Sequence, residues 1–265
     1  MIKNWIITGD THGAVSVRLE SIMLEHIEFN PQETAVIILG DVGFNYYSDK
    51  KDWRLKRKAS GYGYTLYCLR GNHEMRPSNV EGMKLVYDEN IKGEVYTEEE
   101  FPLIRYFVDG GEYEINGYKM LTIGGAYSVD KFYRLERGLH WFKDEQLSDE
   151  EFEAIHKKVS GKTYDLVFTH AAPSSYEPTD LFLDFIDQTK VDVSTPTWLD
   201  RIKNDITFGF WCFGHYHADR VELPYVEQFF TDSEDLNELV ERWRVYNKTG
   251  NLNYWIPVSP KMKGR

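Results

Sequence analysis

Residues 5–13 read WIITGDTHG, a short apolar run that stops at small and polar residues. The same design recurs at residues 36–41 (VIILGD), 66–74 (LYCLRGNHE), 166–170 (LVFTH) and 210–217 (FWCFGHYH). Short apolar runs that are bounded by glycine and polar residues are typical of buried β-strands. The sequence therefore predicts five buried strands, each followed directly by a polar loop.

The segments between the first three runs have the pattern of helices. Residues 15–26 carry apolar side chains at helical spacing, and residues 48–60 form a second, strongly basic helical segment. Strand–helix–strand alternation requires parallel strands with right-handed crossovers. Asp10, Asp41 and Asn72 recur at an interval of 31 residues, so each lies at the carboxyl end of its strand. If these strands are neighbours, the three side chains converge at the edge where open α/β sheets bind ligands.

The rest of the chain predicts an α/β domain with a mixed sheet or two sheets, and no repeat or linker divides residues 1–265. The motif blocks span residues 6–217, and residues 218–265 form a C-terminal helix and strand extension. Antiparallel strands are predicted at 103–108, 112–115 and 118–123, with a type I′ turn at Asn116-Gly117. A capping box at Ser148 begins a helix that runs to about residue 159. An acidic helix at 232–246 and a strand at 253–258 follow.

Composition excludes several classes of protein. Hydrophobic residues make up 42% and charged residues 28% of the 265 residues, which is typical of a folded globular chain. Apolar runs are too short for a membrane span or a secretion signal, and two cysteines in apolar runs do not form a disulfide framework. We therefore expect a cytoplasmic protein with no membrane partner. Its net charge of −12 repels nucleic acid and phosphorylated substrates unless a bound cation or basic patch reverses the field locally.

Seven residues of metal-ligand type stand at the predicted strand ends. Each block taken alone also fits an ordinary turn or helix cap, so the set carries the inference. Carboxylate, carboxamide and imidazole donors suit manganese, iron, zinc or cobalt, and seven donors suit two ions that share a carboxylate. The seven residues are Asp10, His12, Asp41, Asn72, His170, His215 and His217. On a strand, His215 and His217 would share one face.

The five blocks together resemble the calcineurin-like metallophosphoesterase superfamily over residues 6–217. They are Asp10-Thr11-His12, Gly40-Asp41, Gly71-Asn72-His73-Glu74, Thr169-His170 and Gly214-His215-Tyr216-His217. The resemblance implies an α/β fold, a four-layer α/β/β/α sandwich of two mixed β-sheets flanked by helices. It implies that Asp10, His12 and His217 hold one metal ion and that Asn72, His170 and His215 hold the second. Asp41 would bridge them, and His73 would be the catalytic histidine without being a ligand.

We expect a dinuclear metal-dependent phosphoesterase that hydrolyses a phosphomonoester or a phosphodiester. In such chemistry a metal-bridging hydroxide attacks phosphorus in line, and His73 acts as the general acid on the departing alkoxide. The cofactors would be two divalent ions, manganese first, with iron, zinc, cobalt or nickel as alternatives. The alternatives to this function are a serine/threonine protein phosphatase-like activity, a metal-dependent nuclease, and a non-catalytic scaffold on the same fold.

The protein phosphatase branch of the superfamily is matched only in part. Leu69-Arg70-Gly71 resembles that branch, but the aspartate and arginine expected soon after Asp41 are missing. Met75 stands where a further arginine would follow, and Arg76 comes one place later. The GHxH block does not separate monoesterases from diesterases.

Candidate substrate contacts lie close to the third block and in residues 124–134. The segment from Gly124 to Lys131, together with Arg134, resembles bacterial and phage members of the superfamily. An equally good interpretation is a loop that packs against the sheet. The candidates are Arg70, Arg76, Tyr127, Asp130, Lys131 and Arg134.

Two other groups of residues are ambiguous from the sequence. The basic run Lys50, Lys51, Arg54, Lys56, Arg57 and Lys58 predicts a solvated helix face or a nucleic-acid contact. The C-terminal aromatics are expected in the core or at a dimer contact: Phe229, Phe230, Trp243, Tyr246, Tyr254 and Trp255. A phosphorylated substrate is the expected partner, and nucleic acid and oligomeric state stay open.

Overall fold

A computed structural model describes residues 1–47 and 50–250 of the chain. Its strands are β1 Asn4–Thr8, β2 Thr34–Ile38, β3 Thr65–Cys68, β4 Met83–Asp88, β5 Gly93–Glu98, β6 Ile104–Phe107, β7 Gly111–Ile115, β8 Tyr118–Ile123, β9 Thr163–Thr169, β10 Thr207–Phe213, β11 Arg220–Leu223, β12 Val226–Gln228 and β13 Ser233–Asp235. Its α-helices are α1 Val15–Glu25, α2 Lys50–Ser60, α3 Lys131–Glu136, α4 Asp149–Val159, α5 Ser194–Asp205 and α6 Leu236–Thr249.

The described strands form two mixed sheets. The first has the order β13-β1-β2-β3-β6-β5-β4, and the second has the order β11-β12-β10-β9-β8-β7. In the first sheet β1, β2 and β3 are parallel neighbours, as the interval between Asp10, Asp41 and Asn72 predicts. In the second sheet β8, β9 and β10 are parallel neighbours.

The sheets face each other across one core, and helices cover their outer faces. Alternate residues of β1 show the division: Trp5 and Ile7 enter the core between the sheets, whereas Ile6 packs under α1. On the outer face of the second sheet, Phe152 of α4 and Leu199 of α5 pack in one cluster with residues of β9 and β10. The predicted four-layer α/β/β/α sandwich is confirmed.

Local signals set several boundaries as expected. Ser148 accepts a hydrogen bond from the backbone of Glu151, whose side chain accepts one in return, and this capping box begins α4. Asn116 and Gly117, with φ angles of 50° and 83°, form the turn between antiparallel β7 and β8. Both features lie at the positions that the sequence predicts.

Other expectations need correction. The sequence predicts an antiparallel strand at residues 103–108, and β6 is antiparallel to β5 but parallel to β3, both in the first sheet. The chain then passes to the second sheet at residues 108–110. The β4–β5 hairpin and α5 have no counterpart in the sequence prediction, and β13 precedes α6 in the segment expected to be all helix. The strand expected at 253–258 lies outside the described residues, as do Tyr254 and Trp255.

The basic helix α2 is not simply a solvated face. Lys56 is buried and forms an ion pair with Glu98 of β5, and the ammonium of Lys51 lies 3.7 Å from the ring centroid of Tyr47. Arg54, Arg57 and Lys58 are exposed. Among the C-terminal aromatics, Phe229 lies in the core between the sheets, with Trp243 and Tyr246 packed against it. Within the described residues, every helix is too short or too polar to cross a lipid bilayer.

Candidate metal centre

The carboxyl ends of β1, β2 and β3 meet those of β9 and β10, and the loops that follow these five strands carry all the predicted ligands. Three overlapping groups have ligand atoms within 4.8 Å of one another: Asp10 with His12 and His217, His12 with Asp41 and His73, and Asp10 with Asp41 and His170. Asn72 and His215 complete the cluster, because each contacts His170. The structure thus brings together seven residues that the sequence spreads over more than 200 positions.

Two buried carboxylates lie at the centre of the cluster. Asp10 and Asp41 are each 1% exposed, and neither forms an ion pair with lysine or arginine among the described residues. Imidazole nitrogens surround them: Asp10 Oδ2 lies 3.6 Å from His217 Nε2, and Asp41 Oδ2 lies 3.7 Å from His170 Nε2. Buried charges are costly unless they are paired or coordinate metal. The donor set therefore fits divalent cations between these side chains.

The charge state of Asp41 is consistent with that role. Burial by itself raises the pKa of Asp41, but the positive charges that His170 and His73 carry when protonated outweigh burial and lower the pKa below its ordinary value. Asp41 is therefore ionised at neutral pH. Its Oδ1 also accepts a hydrogen bond of 2.9 Å from the backbone N–H of His73, which fixes the carboxylate in place.

Hydrogen bonds orient His170 and Asn72 toward each other. The Nδ1 of His170 lies 2.8 Å from the carbonyl oxygen of Leu39, so Nδ1–H donates and Nε2 is left with a free lone pair. This Nε2 lies 2.9 Å from Asn72 Oδ1, while the Asn72 amide donates to Ser128 Oγ at 2.7 Å. In metal-binding histidines, the ring nitrogen that does not bind the metal typically donates its N–H to a carbonyl oxygen in this way. Both free lone pairs point into one small volume.

His12 and His217 form a second pair beside Asp10. The Nδ1 of His12 lies 3.2 Å from the hydroxyl of Tyr46, which leaves His12 Nε2 facing His217 Nε2. The ring of His217 stacks on Phe230 with centroids 4.8 Å apart. Asp219 accepts hydrogen bonds from the backbone N–H groups of residues 230–232 and so holds Phe230 in place. Each imidazole is thus fixed by a neighbour outside the cluster.

The backbone at the cluster is strained. His12, Asp41, His215 and His217 have φ angles of 45°, 44°, 69° and 54°, in the region that favours glycine. Non-glycine residues in this region are uncommon and concentrate at functional sites. This corrects one expectation: β10 ends at Phe213, so His215 and His217 lie on a sharp turn and do not share the face of a strand.

Two glycines let the backbone approach the carboxylates. A Cβ at Gly71 would lie 2.0 Å from Asp41 Oδ1, and a Cβ at Gly214 would lie 2.3 Å from Asp10 Oδ1. Any side chain at these positions would displace the carboxylates. The close approach of the carboxylates therefore explains why glycine stands at these positions of the third and fifth blocks.

His73 stands at the edge of the cluster, partly open to solvent. Its Nε2 lies 3.8 Å from Asp41 Oδ2 and 3.5 Å from Arg134 Nη2. Burial lowers the pKa of His73, the charge of Asp41 raises it, and the charge of Arg134 lowers it, with a net decrease. Arg134 is held in turn by Asp130, whose Oδ2 accepts from Arg134 Nε at 2.7 Å.

A cleft of about 350 Å³ extends from Asp41, Asn72 and His73 toward residues 177–193. Of the predicted substrate contacts, Tyr127 and Asp130 line this cleft. The ammonium of Lys131 lies 4.2 Å from the ring centroid of Trp141.

Two of the predicted substrate contacts lie elsewhere. Arg70 is 2% exposed, pairs with Asp109 at 3.0 Å and donates to the carbonyl oxygens of Gly124 and Glu145. Arg76 donates to the carbonyl oxygens of Asp144 and Gln146 and to the carboxylate of Glu151. Instead of reaching the cleft, both arginines hold residues 144–151 against the loop that follows β3.

Several contributors to the site are absent from the sequence prediction. Tyr46 and Phe230 fix imidazoles, Ser128 fixes the amide of Asn72, and residues 177–193 form a wall of the cleft. Ser128 lies within the segment at 124–134, so the sequence motif there could have indicated its role. No sequence pattern indicates the role of Phe230, because its contact with His217 joins two loops that are unrelated in sequence.

The chain belongs to the calcineurin-like phosphoesterase family, whose model matches residues 5–219. A comparison with curated proteins finds no match. One solved crystal structure is 12% identical, with a TM-score of 0.50 over 90% of this chain and 96% of that chain. The crystal structure of TT1561 of Thermus thermophilus is 11% identical, with a TM-score of 0.45 over 89% of this chain and 98% of that chain. At 12% identity the first likeness shows the fold alone.

Proposed function

We propose that this protein is a dinuclear metal-dependent phosphoesterase that hydrolyses a phosphomonoester or phosphodiester. The observation that carries the proposal is the pair of buried carboxylates, Asp10 and Asp41, with imidazole nitrogens converging on both and no lysine or arginine paired to either among the described residues. Family membership supplies the reaction class. The seven side chains and His73 supply a complete set for catalysis, which favours an enzyme over a scaffold.

We assign the ligands in two sets that share Asp41. Asp10, His12 and His217 would hold one cation, since both imidazole Nε2 atoms lie within 3.8 Å of Asp10 Oδ2. Asn72, His170 and His215 would hold the other, since Asn72 Oδ1 and His170 Nε2 face each other. Burial, with a smaller contribution from the charge that His170 carries when protonated, lowers the pKa of His215 well below its ordinary value, so His215 is neutral and its ring can donate a lone pair. Manganese is our first candidate for both positions.

When bound, the two cations supply Lewis acidity toward the phosphoryl oxygens and toward water. The residues of the chain contribute orientation and proton transfer. The negative charge of a bound phosphoryl group would favour the protonated form of His73, which would give its Nε2 proton to the ester oxygen as the bond from phosphorus to that oxygen breaks. Arg134, 3.5 Å from the same nitrogen, would contact a phosphoryl oxygen. Water provides the oxygen of the new P–O bond, so the products are an alcohol and phosphate, or a monoester from a diester.

The test is hydrolysis of 4-nitrophenyl phosphate beside bis(4-nitrophenyl) phosphate by metal-free protein that is titrated with Mn²⁺, followed by chelator. We expect turnover that requires metal and saturates at two ions per chain, counted by plasma mass spectrometry. The ratio of the two rates separates a monoesterase from a diesterase.

A matched pair of variants ties that activity to the site. Asp41→Asn removes the shared charge and should disturb both ions, whereas Asp205→Asn, just before β10 and at the opposite edge of the sheet, should change neither count nor rate. Two ions and normal turnover in Asp41→Asn would overturn the assignment. Absence of turnover on both esters with Mn²⁺, Fe²⁺, Zn²⁺, Co²⁺ and Ni²⁺ would overturn the proposed activity on simple esters.

A further inference from the structure

The cleft beside the candidate metal centre has an apolar wall. One end is formed by Asp41, Asn72 and His73, and Tyr216 and residues 126–130 line the sides. The wall comes from residues 177–193, which form two short 3₁₀ turns, Thr179–Leu181 and Gln188–Lys190, joined by irregular chain. Its apolar side chains are Leu181, Phe182, Leu183, Ile186, Val191 and Val193.

Several of these apolar side chains are partly exposed to solvent, unlike side chains of a hydrophobic core. Leu181, Leu183 and Val193 are 36%, 48% and 52% exposed, although all three line the same cleft. Phe182 is better fixed, because its ring stacks on Tyr216 with centroids 6.2 Å apart and an interplanar angle of 17°. Covering such half-exposed apolar groups is favourable by roughly 25 cal/mol per Å². An apolar ligand placed here would gain that contribution.

The charges of the cleft act against an anionic ligand beyond the metal centre. The described residues that line it include the carboxylates of Asp130, Glu177 and Asp192, and no lysine or arginine. Asp130 is paired with Arg134, and Glu177 accepts a hydrogen bond of 3.2 Å from the hydroxyl of Tyr216. With Asp130 neutralised by Arg134, the negative field comes from Glu177 and Asp192, and like charges repel in such a confined site. A second phosphate or a carboxylate on the ligand would therefore bind poorly.

The size of the cleft limits the ligand further. Sites for small molecules usually enclose about 300–1,000 Å³, and this cleft of about 350 Å³ lies at the lower end. It suits one ring or a short aliphatic chain attached to a phosphoryl group at the metal centre.

We propose that the cleft binds the alcohol part of a small phosphomonoester and that this part is uncharged and apolar, either aromatic or aliphatic. The inference rests on the proposed function for the position of the phosphoryl group. It goes beyond that function by naming the substrate class. The apolar wall, the absence of cationic side chains among the described lining residues, and the volume all select the same kind of leaving group.

The test compares three esters of primary alcohols, so that the acidity of the leaving alcohol does not dominate the rates. They are 2-phenylethyl phosphate, 3-hydroxypropyl phosphate and the 4-carboxylate derivative of 2-phenylethyl phosphate. With Mn²⁺-loaded protein we expect kcat/KM for the first to exceed that for each of the others by about ten-fold or more, since single apolar groups in a pocket discriminate on that scale.

Variants separate the cleft from the metal centre. Phe182→Ala removes the stacked ring of the wall and should reduce the preference for 2-phenylethyl over 3-hydroxypropyl phosphate by about ten-fold. Leu183→Ala, at a half-exposed position, should reduce the same ratio without affecting folding. Phe185→Ala is the matched control: Phe185 belongs to the same segment but is 81% exposed and does not belong to the described lining. It should leave the ratio unchanged.

Binding of the non-hydrolysable 2-phenylethylphosphonate and 3-hydroxypropylphosphonate, measured by titration calorimetry, gives a readout that does not need turnover. Tighter binding of the first, lost in Phe182→Ala, would support the cleft assignment even if no ester were hydrolysed, and the proposed function would then fail alone. Equal binding of both phosphonates, or a preference for the hydroxylated or carboxylated ester, would overturn the inference whether or not the protein is an esterase.

Discussion

The Nε2 atoms of His12 and His217 lie 2.8 Å apart, although 205 residues separate them in the chain. His12 follows β1 of the first sheet, and His217 follows β10 of the second, so the contact exists only because the two sheets pack with the ends of these strands together. Both nitrogens also lie near Asp10 Oδ2, at 3.8 and 3.6 Å. A single cation at this position would hold the two sheets together as well as take part in chemistry.

Phe230→Ala tests how His217 is positioned. Loss of the stacked ring leaves the His217 imidazole free to rotate away from Asp10. Changes next to a metal ligand typically cost about 10–100-fold in metal affinity, so we expect one of two ions to bind that much more weakly. Calorimetric titration with Mn²⁺ measures this. Tyr87→Ala, an exposed aromatic on edge strand β4, is the control, and equal affinities in both variants would show that the stacking has no role.

Ser128→Ala tests the orientation of the Asn72 amide. The hydroxyl accepts the Asn72 N–H at 2.7 Å, and without it the amide can rotate so that its nitrogen faces His170. We expect about ten-fold weaker binding of one ion. Ser21→Ala, at a half-exposed position of α1, should bind metal normally. Unchanged affinity in Ser128→Ala would mean that contacts other than this one fix the amide.

His73→Ala tests the assignment of the general acid. Turnover of an alkyl ester should fall by about 10²–10⁴-fold, because a poor leaving group needs the proton. Turnover of 4-nitrophenyl phosphate should fall much less, since 4-nitrophenolate leaves without one. Both ions should stay bound. Loss of an ion from this variant would instead make His73 a ligand.

Metal binding should weaken as the pH falls, because protonation of His217 competes with it. A hydrogen bond to Asp10 raises the pKa of His217, although burial opposes it, so this ring takes up a proton above the ordinary histidine value of 6.5. A protonated imidazole has no lone pair for a metal. Below that pKa, affinity at one position should fall about ten-fold per pH unit for one proton displaced. Mn²⁺ titrations at pH 8, 7 and 6 measure this, and affinity that is constant over this range would contradict it.

The fold can be predicted from the sequence wherever one signal is local and repeated. The interval of 31 residues places Asp10, Asp41 and Asn72 at one sheet edge, because each interval holds one strand and one crossover helix. The capping box at Ser148 and the Asn116-Gly117 turn depend on neighbouring residues alone. The pairing of β6 depends on distant strands, so its parallel alignment with β3 has no local signal in the sequence.

The functional site, too, can be predicted from the sequence only in part. The five blocks carry the candidate ligands because each ligand directly follows its own strand. The residues that orient the ligands come from loops between other elements, so Tyr46 and Phe230 carry no recognisable spacing. Arg70 and Arg76 show the converse: their positions next to Asn72 suggest substrate contacts, but their donors are satisfied by carboxylates and carbonyl groups.

A buried charge cluster away from the site gives a prediction about stability. Glu227 of β12 is 4% exposed and lies 3.2 Å from Arg242 of α6, which also binds Glu234 of β13. Burial and the charge of Glu234 raise the pKa of Glu227 from 4.5 to about 8. The folded protein therefore holds this proton more tightly than the unfolded chain does. The resulting stabilisation is complete below about pH 4.5 and is lost as the pH rises through about 8.

Glu227→Gln removes the titration while keeping the size of the side chain. We expect the free energy of unfolding of the variant to rise relative to that of the wild type between pH 5 and pH 9. Only the wild type releases a proton from residue 227 when it unfolds, and a rising pH favours that release. Urea unfolding followed by circular dichroism, with metal content held constant, measures the difference at each pH. A Glu227→Gln curve that runs parallel to that of the wild type, or that falls with pH, would show that Arg242 keeps Glu227 ionised in the folded protein.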